Sequence, residues 1–158
     1  MSTGLLIFTL FHTALSLVAL VAGIVIVRAL LRGGTAGGWT TVFLVTAVAT
    51  SATGFGFPFV KLLPSHVVAI VALAVLALTV LAQYTYALAG PWRWIYAVGL
   101  VLSLYFDVFV LVAQAFGKIP PLHRLAPTGG EPPFAIAQAV VLLVFVYLTV
   151  MAIRRFRA

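Results

Sequence analysis

The sequence predicts an all-α integral membrane protein: a single domain (1–158) built as a five-helix transmembrane bundle, N-terminus outside and C-terminus cytoplasmic. Three observations predict it. Of 158 residues, 65% are hydrophobic and only 7% charged, against about 25% charged in soluble domains. A chain so apolar lacks the polar surface to cover itself in water. Second, the apolar residues gather in five uninterrupted runs, each near the ~20 residues that cross a bilayer core as a helix. Third, the basic residues stand at the ends of those runs, as membrane stop signals do. Barrel strands would alternate over segments of about 10 residues. These runs are continuous and rich in Leu, Ala and Val, and a helix satisfies its own backbone inside lipid.

The first expected span, 4–27, stops at Arg28 and Arg32 and is followed by a glycine-rich turn, 33–38. No basic residue precedes it, and it outruns the ~7–15 apolar residues of a secretory signal, so it reads as a span. The second, 39–57, ends at Pro58, with Lys61 and Pro64 in the connector. The third, 65–88, ends at Gly90 and Pro91, and the fourth covers 92–116. The stretch 117–133 holds five of the eight prolines. Proline disfavours helix interiors, so this stretch is expected as an ordered extramembrane loop. The fifth span, 134–153, is followed by Arg154, Arg155 and Arg157.

Five spans place the termini on opposite faces. The C-terminal face carries Arg28, Arg32, Arg93, Arg154, Arg155 and Arg157; the N-terminal face carries Lys61, Lys118 and Arg124, offset by Glu131. The excess of positive charge assigns the C-terminal face to the cytoplasm. Trp92, Trp94 and Tyr96, with Trp39, Tyr84 and Tyr86, fit an aromatic belt at that interface. The net charge of +7 is therefore spent on topology. Without a basic stripe interleaved with aromatics, nucleic-acid binding is not expected. The absence of cysteine excludes disulfides and thiolate metal sites.

The polar residues divide unevenly. All three histidines and both acids fall in the expected outer half, and two of them, His12 and Asp107, lie within spans. At 1.5 Å per residue, His12 lies about 12 Å below Gly4 and Asp107 about 13 Å below Phe116. The antiparallel first and fourth spans thus bring an imidazole and a carboxyl to one expected level. A carboxyl inside the bilayer costs about 2.5–3.5 kcal/mol on insertion scales and faces the bundle interior, which makes His12 its expected partner. Gly99, Ser103, Asp107, Val110 and Gln114 recur at helical spacing on the fourth span. Ser16 shares a stripe with His12, Thr50 lies on a threonine-rich face of the second span, and Gln138 on the fifth is near the depth of Gln114. Facing inward, His12, Ser16, Thr50, Ser103, Asp107, Gln114 and Gln138 would line a polar pocket open toward the outer leaflet. The plainer reading of the small residues is close helix packing.

Familiar catalytic apparatus is missing from the pattern. There is no nucleophile-elbow, phosphate-loop or zinc-protease motif, and two distant acids do not make an acid/base pair. Haem held by two histidines needs both at one depth; with His66 expected at the surface, His12 and His66 do not match. His66, His123 and Glu131 lack tight metal-ligand spacing. A quinone or another amphipathic lipid fits an outer-leaflet pocket anchored by one His and one Asp.

Three stretches carry a resemblance: Thr53-Gly54-Phe55-Gly56-Phe57-Pro58, Val112-Ala113-Gln114-Ala115-Phe116-Gly117-Lys118-Ile119-Pro120, and Ala126-Pro127-Thr128-Gly129-Gly130-Glu131-Pro132-Pro133-Phe134. They resemble segments of small, uncharacterised multi-spanning proteins of the bacterial inner membrane. The resemblance implies that location and transfers no activity and no site residue. Two function classes fit the sequence. The first is a non-enzymatic accessory or interaction subunit, docking a larger membrane complex or another copy of itself. The alternative is a binding protein for a small ligand, such as quinone, lipid or a redox cofactor like haem, built around His12 and Asp107.

Overall fold

A computed structural model describes residues 2–58 and 61–157. It is all-helical, 82% helix with no strands among the described residues. The helices are α1 (Thr3–Leu31), α2 (Gly38–Thr53), α3 (Pro64–Val80), α4 (Trp92–Lys118), α5 (Pro120–Leu125) and α6 (Pro132–Arg155). A 3-10 turn (Gly54–Gly56) extends α2, and a π-helical turn (Leu81–Thr85) extends α3. Four of these elements are long and apolar enough to cross a membrane: α1, α3 with its π turn, α4 and α6. The α-helical part of α2 has 16 residues.

Several helix ends differ from the sequence expectation, each for a local reason. The Ser2 hydroxyl caps the start of α1 by accepting from Leu5 N–H at 3.3 Å. At its other end α1 continues four residues past the expected Val27, because a cation such as Arg28 is favoured in a helix's last turn. The helix then closes in a Schellman motif: Gly33 N–H bonds Leu30 O and Gly34 N–H bonds Ala29 O, with Gly33 at φ +89°, a conformation glycine adopts at little cost. The expected third span to Leu88 stops earlier. Tyr86 N–H reaches back to Leu81 O at 3.0 Å, a five-residue step that winds the helix out, and Ala87 and Leu88 take positive φ.

The proline-rich stretch 117–133 is not wholly a loop. Four of its five prolines stand where helices begin: Pro120 and Pro121 open α5, and Pro132 and Pro133 open α6. At a first turn the missing N–H has no partner to lose and the fixed φ already suits the helix. The segment between them is tied by Glu131, which accepts from Thr128 Oγ1 at 2.8 Å and from Thr128 and Gly130 N–H at 3.1 Å.

α4 is the hub, packing against α1, α3 and α6, while α2 packs on α1. Small residues permit the close crossings, as packing without a hydrophobic drive in lipid requires. A Cβ at Gly99 would collide with the Thr79 side chain, and one at Gly23 would meet Leu104 and Phe43. The tightest packing lies toward the end of the bundle carrying the C-terminus. There Ile26, Leu30, Phe43, Tyr96, Leu100 and Phe156 are all fully buried. That end is also pinned across helices: Arg155 Nη1 donates to Leu31 O at 3.3 Å, and Tyr96 packs on Phe156. Toward the opposite end α4 loosens, and its residues from Tyr105 to Val110 are only half-buried.

Candidate functional site

His12 sits on the α1 face that meets the end of α2. Its Nδ1 lies 2.8 Å from Thr53 Oγ1, and its ring stands edge-on to Phe57, centroids 5.1 Å apart. The Thr53 hydroxyl has one proton, and its own helix claims it: Oγ1 donates to Ala49 O at 2.7 Å. The imidazole must therefore be the donor, which leaves the lone pair on Nε2. Phe8, one turn toward the chain start, packs on Phe57 and against Gly56. These contacts close the interface between the N-terminal half of α1 and the C-terminal end of α2.

Asp107 does not take part. No hydrogen bond or ion pair joins it to His12, and its Oδ2 is buried without a hydrogen-bond partner. The expected pairing is thereby corrected. Its error lay in measuring both depths from helix ends taken as level. Contacts across α1, α2 and α4 give a better ruler, since Gly23 faces both Leu104 and Phe43. Asp107 is three residues outward of Leu104, whereas His12 is eleven outward of Gly23. At 1.5 Å per residue the two groups differ in level by about 12 Å.

The other expected pocket residues are placed singly. Ser16 Oγ donates to Thr13 O at 2.8 Å, within its own helix. Thr50 Oγ1 is buried without a partner. Gln114 is exposed on the surface of α4. Gln138 crosses from α6 to α4, donating from Nε2 to Phe109 O at 3.0 Å, while its Oε1 is buried and unpartnered. Ser103 is 3% exposed with an unpartnered Oγ. It lies one turn from Asp107 on the stripe that Gly99 presents to Thr79 of α3. The members that bond across helices thus lie at different interfaces, His12 between α1 and α2 and Gln138 between α4 and α6.

His66 stands in the first turn of α3, as expected for the start of the third span. It is 6% exposed and stacks on Phe55, centroids 5.5 Å apart. Its Nδ1 accepts from Leu63 N–H at 3.0 Å. An accepting Nδ1 puts the ring proton on Nε2, so this imidazole does not offer Nε2 as a metal ligand. His12 and His66 both lie near the end of α2, with their Nδ1 atoms in different hydrogen bonds, to Thr53 Oγ1 and Leu63 N–H. Among the described residues no three His, Asp or Glu side chains gather as a metal site. His123 instead lines a cleft of about 240 Å³ with Phe116, Thr128 and Phe134, between α5 and the start of α6.

No protein-family model, curated protein or solved structure matches the chain.

Proposed function

We propose that the protein is a non-enzymatic accessory or interaction subunit of a bacterial inner membrane, crossing it five times with its N-terminus outside. The fifth crossing is α2. Its 16 helical residues and the three of the 3-10 turn extend about 30 Å at rises of 1.5 and 2.0 Å, the thickness of a hydrocarbon core. All six arginines of Arg28, Arg32, Arg93, Arg154, Arg155 and Arg157 share the end where Arg155 meets Leu31, which supports a cytoplasmic C-terminus.

The observation that carries the interaction reading is the placement of α6. Only 6% of its membrane-crossing stretch is buried within the protein, against 28% to 39% for the other three long spans. Ile136, Leu143, Val146 and Tyr147 stand 52% to 69% exposed on it. Tyr147 adds a phenol to this face, whose hydroxyl is a polar handle on an otherwise apolar surface. A docking partner laid along α6 would cover this face.

Photo-crosslinking in membranes tests it. A photoreactive residue at Leu143 or Tyr147 is expected to give one protein adduct of defined mass. The same probe at Leu17, exposed on α1, is expected to give lipid adducts alone. Lipid adducts alone from both faces would overturn the reading.

The ligand-site alternative retains one specific support: Ser103 Oγ and Asp107 Oδ2, one turn apart on α4, are both buried without partners. Such groups call for an explanation, and a small polar ligand held between α3 and α4 supplies one. An optical spectrum and mass spectrum of the purified protein would reveal it.

A further inference from the structure

A cleft of about 400 Å³ opens at the C-terminal end of α1, lined by Val25, Arg28, Ala29, Arg32, Thr35 and Ala36. Arg28 and Arg32 stand one helical turn apart on the same face, and like charges at that spacing repel. Neither guanidinium makes a hydrogen bond or ion pair among the described residues. Both acidic side chains are elsewhere, Asp107 in mid-α4 and Glu131 before α6. The backbone N–H groups of Thr35 and Ala36, in the turn that follows, also have no acceptor among the described residues. The cleft is therefore lined by two arginines and a threonine beside free backbone amides, with no acidic side chain among the described residues to match the charge. An anion with several oxygens satisfies such a set, and phosphate meets guanidinium in bidentate fashion.

The other half of the cleft is apolar. Val25 and Ala29 continue outward along α1 as Val21 and Val18, which are 57% and 44% exposed. These positions follow the i+3/i+4 stripe that also carries the two arginines. Trp39 and Trp94, each about half exposed at the same end, mark where headgroups meet the hydrocarbon. A free anion has no use for an adjoining apolar track, whereas an acyl chain does.

We propose that this cleft binds the phosphate of an anionic phospholipid, with one acyl chain lying along Val25, Val21 and Val18. The proposal rests on residence in a bilayer and is independent of the accessory role. If the protein stays in solution without detergent, it is the membrane reading that fails.

Native mass spectrometry of the full chain from micelles holding phosphatidylglycerol and phosphatidylcholine in equal amounts tests it. The wild type is expected to retain one phosphatidylglycerol in preference. The double variant Arg28→Gln/Arg32→Gln is expected to lose that retention about twenty-five-fold, the product of roughly fivefold per basic side chain near an anionic surface. Arg154→Gln/Arg157→Gln, at the same end but outside the cleft, is expected to retain it. Should the glutamine pair fail to fold, Arg28→Lys/Arg32→Lys keeps the charge and loses the fork, and intermediate retention is expected. Equal retention of the two lipids, or retention unchanged in the folded double variant, overturns the proposal. So does displacement by millimolar inorganic phosphate that itself stays bound, which would mark a free-anion site.

Discussion

The Nδ1 of His12 and the Oγ1 of Thr53 lie 2.8 Å apart and join the first two helices. Since the Thr53 proton goes to Ala49 O, this hydroxyl is an acceptor toward the ring. A membrane-embedded imidazole is thereby satisfied within the α1–α2 pair and owes nothing to α4. Such bonds average about 0.6 kcal/mol in bilayers and reach about 1.7. A double-mutant cycle with His12→Leu and Thr53→Val is expected to give a coupling in that range, measured by unfolding in bicelles. A coupling of zero would show that the bond does not hold the two helices together.

Asp107 makes the opposite prediction. Its buried Oδ2 has no partner, so its removal costs no bond and relieves a group that is expensive in lipid. Asp107→Val, which replaces the carboxyl with apolar methyls, is expected to raise the unfolding midpoint by the equivalent of about 1 kcal/mol or more. A lowered midpoint would mean that the carboxyl gains a partner in the membrane. Asp107→Asn, which keeps the polarity, is expected to leave the midpoint nearly unchanged.

The helices were legible in the sequence because lipid permits few alternatives: a run as apolar as the one before Arg28 has to be helical. Their ends were less legible. A charge such as Arg28 ends a membrane span without ending a helix, and α1 runs on to Leu31. Proline breaks a helix interior, yet at a first turn, as at Pro120 and Pro132, it starts one. Helix ends are therefore a poor measure of depth: α1 and α4 do not end level, and the levels of His12 and Asp107 differ. The true partner, Thr53, was visible on the polar face of α2. What a single chain does not reveal is the rotation of that face toward α1, which Phe8, Gly56 and Phe57 set by packing. The i, i+4 spacing of Arg28 and Arg32 was likewise in plain view. It was absorbed into the topology count, and the cleft needed the turn at 33–36 to fold beside it.

Gly99 is predicted to be intolerant of any side chain. A Cβ there would overlap the Thr79 hydroxyl, and Thr79 is itself fully buried with its Oγ1 bonded to Val75 O. Gly99→Ala is expected to cost about 1–3 kcal/mol, the usual range for overpacking. Adding Thr79→Ala is expected to recover most of the loss, because it removes the obstructing oxygen and methyl. Unfolding midpoints of the two variants check this, and an additive loss would place the strain elsewhere.

The turn before α6 is predicted to be sensitive to acid. The hydrogen bond from the Thr128 side chain, chiefly, and then those from backbone N–H groups hold the Glu131 carboxyl below its usual range. A carboxyl depressed in the folded state stabilises above its unfolded pKa, about 4.3. That contribution is lost as pH falls through the folded value. The protection factors of the Thr128 and Gly130 amides, taken against intrinsic exchange at each pH, are therefore expected to hold down to about pH 5 and to fall below about pH 4. In Glu131→Gln the protection is expected to be weaker at neutral pH and the acid step to vanish. An acid step that persists in that variant would mean that another group holds the turn.

The five-span topology makes the last prediction. A chain without cysteine can carry one introduced thiol as a unique label. Thr128 lies in the turn between α5 and α6, and Arg157 follows α6 at the arginine-rich end. If α2 crosses the membrane as its length allows, the turn faces outward and Arg157 inward. Thr128→Cys is then expected to react with an impermeant maleimide in intact cells, and Arg157→Cys only after permeabilisation. A chain crossing only four times, with α2 lying flat, would break the His12–Thr53 and Arg155–Leu31 contacts and put the N-terminus on the same side as Arg157. Ser2→Cys separates the two cases. Outside labelling of Ser2→Cys together with Thr128→Cys supports five crossings, and inside protection of both Ser2→Cys and Arg157→Cys supports four. Outside labelling of Arg157→Cys would invert the bundle and move the arginine cleft to the opposite leaflet.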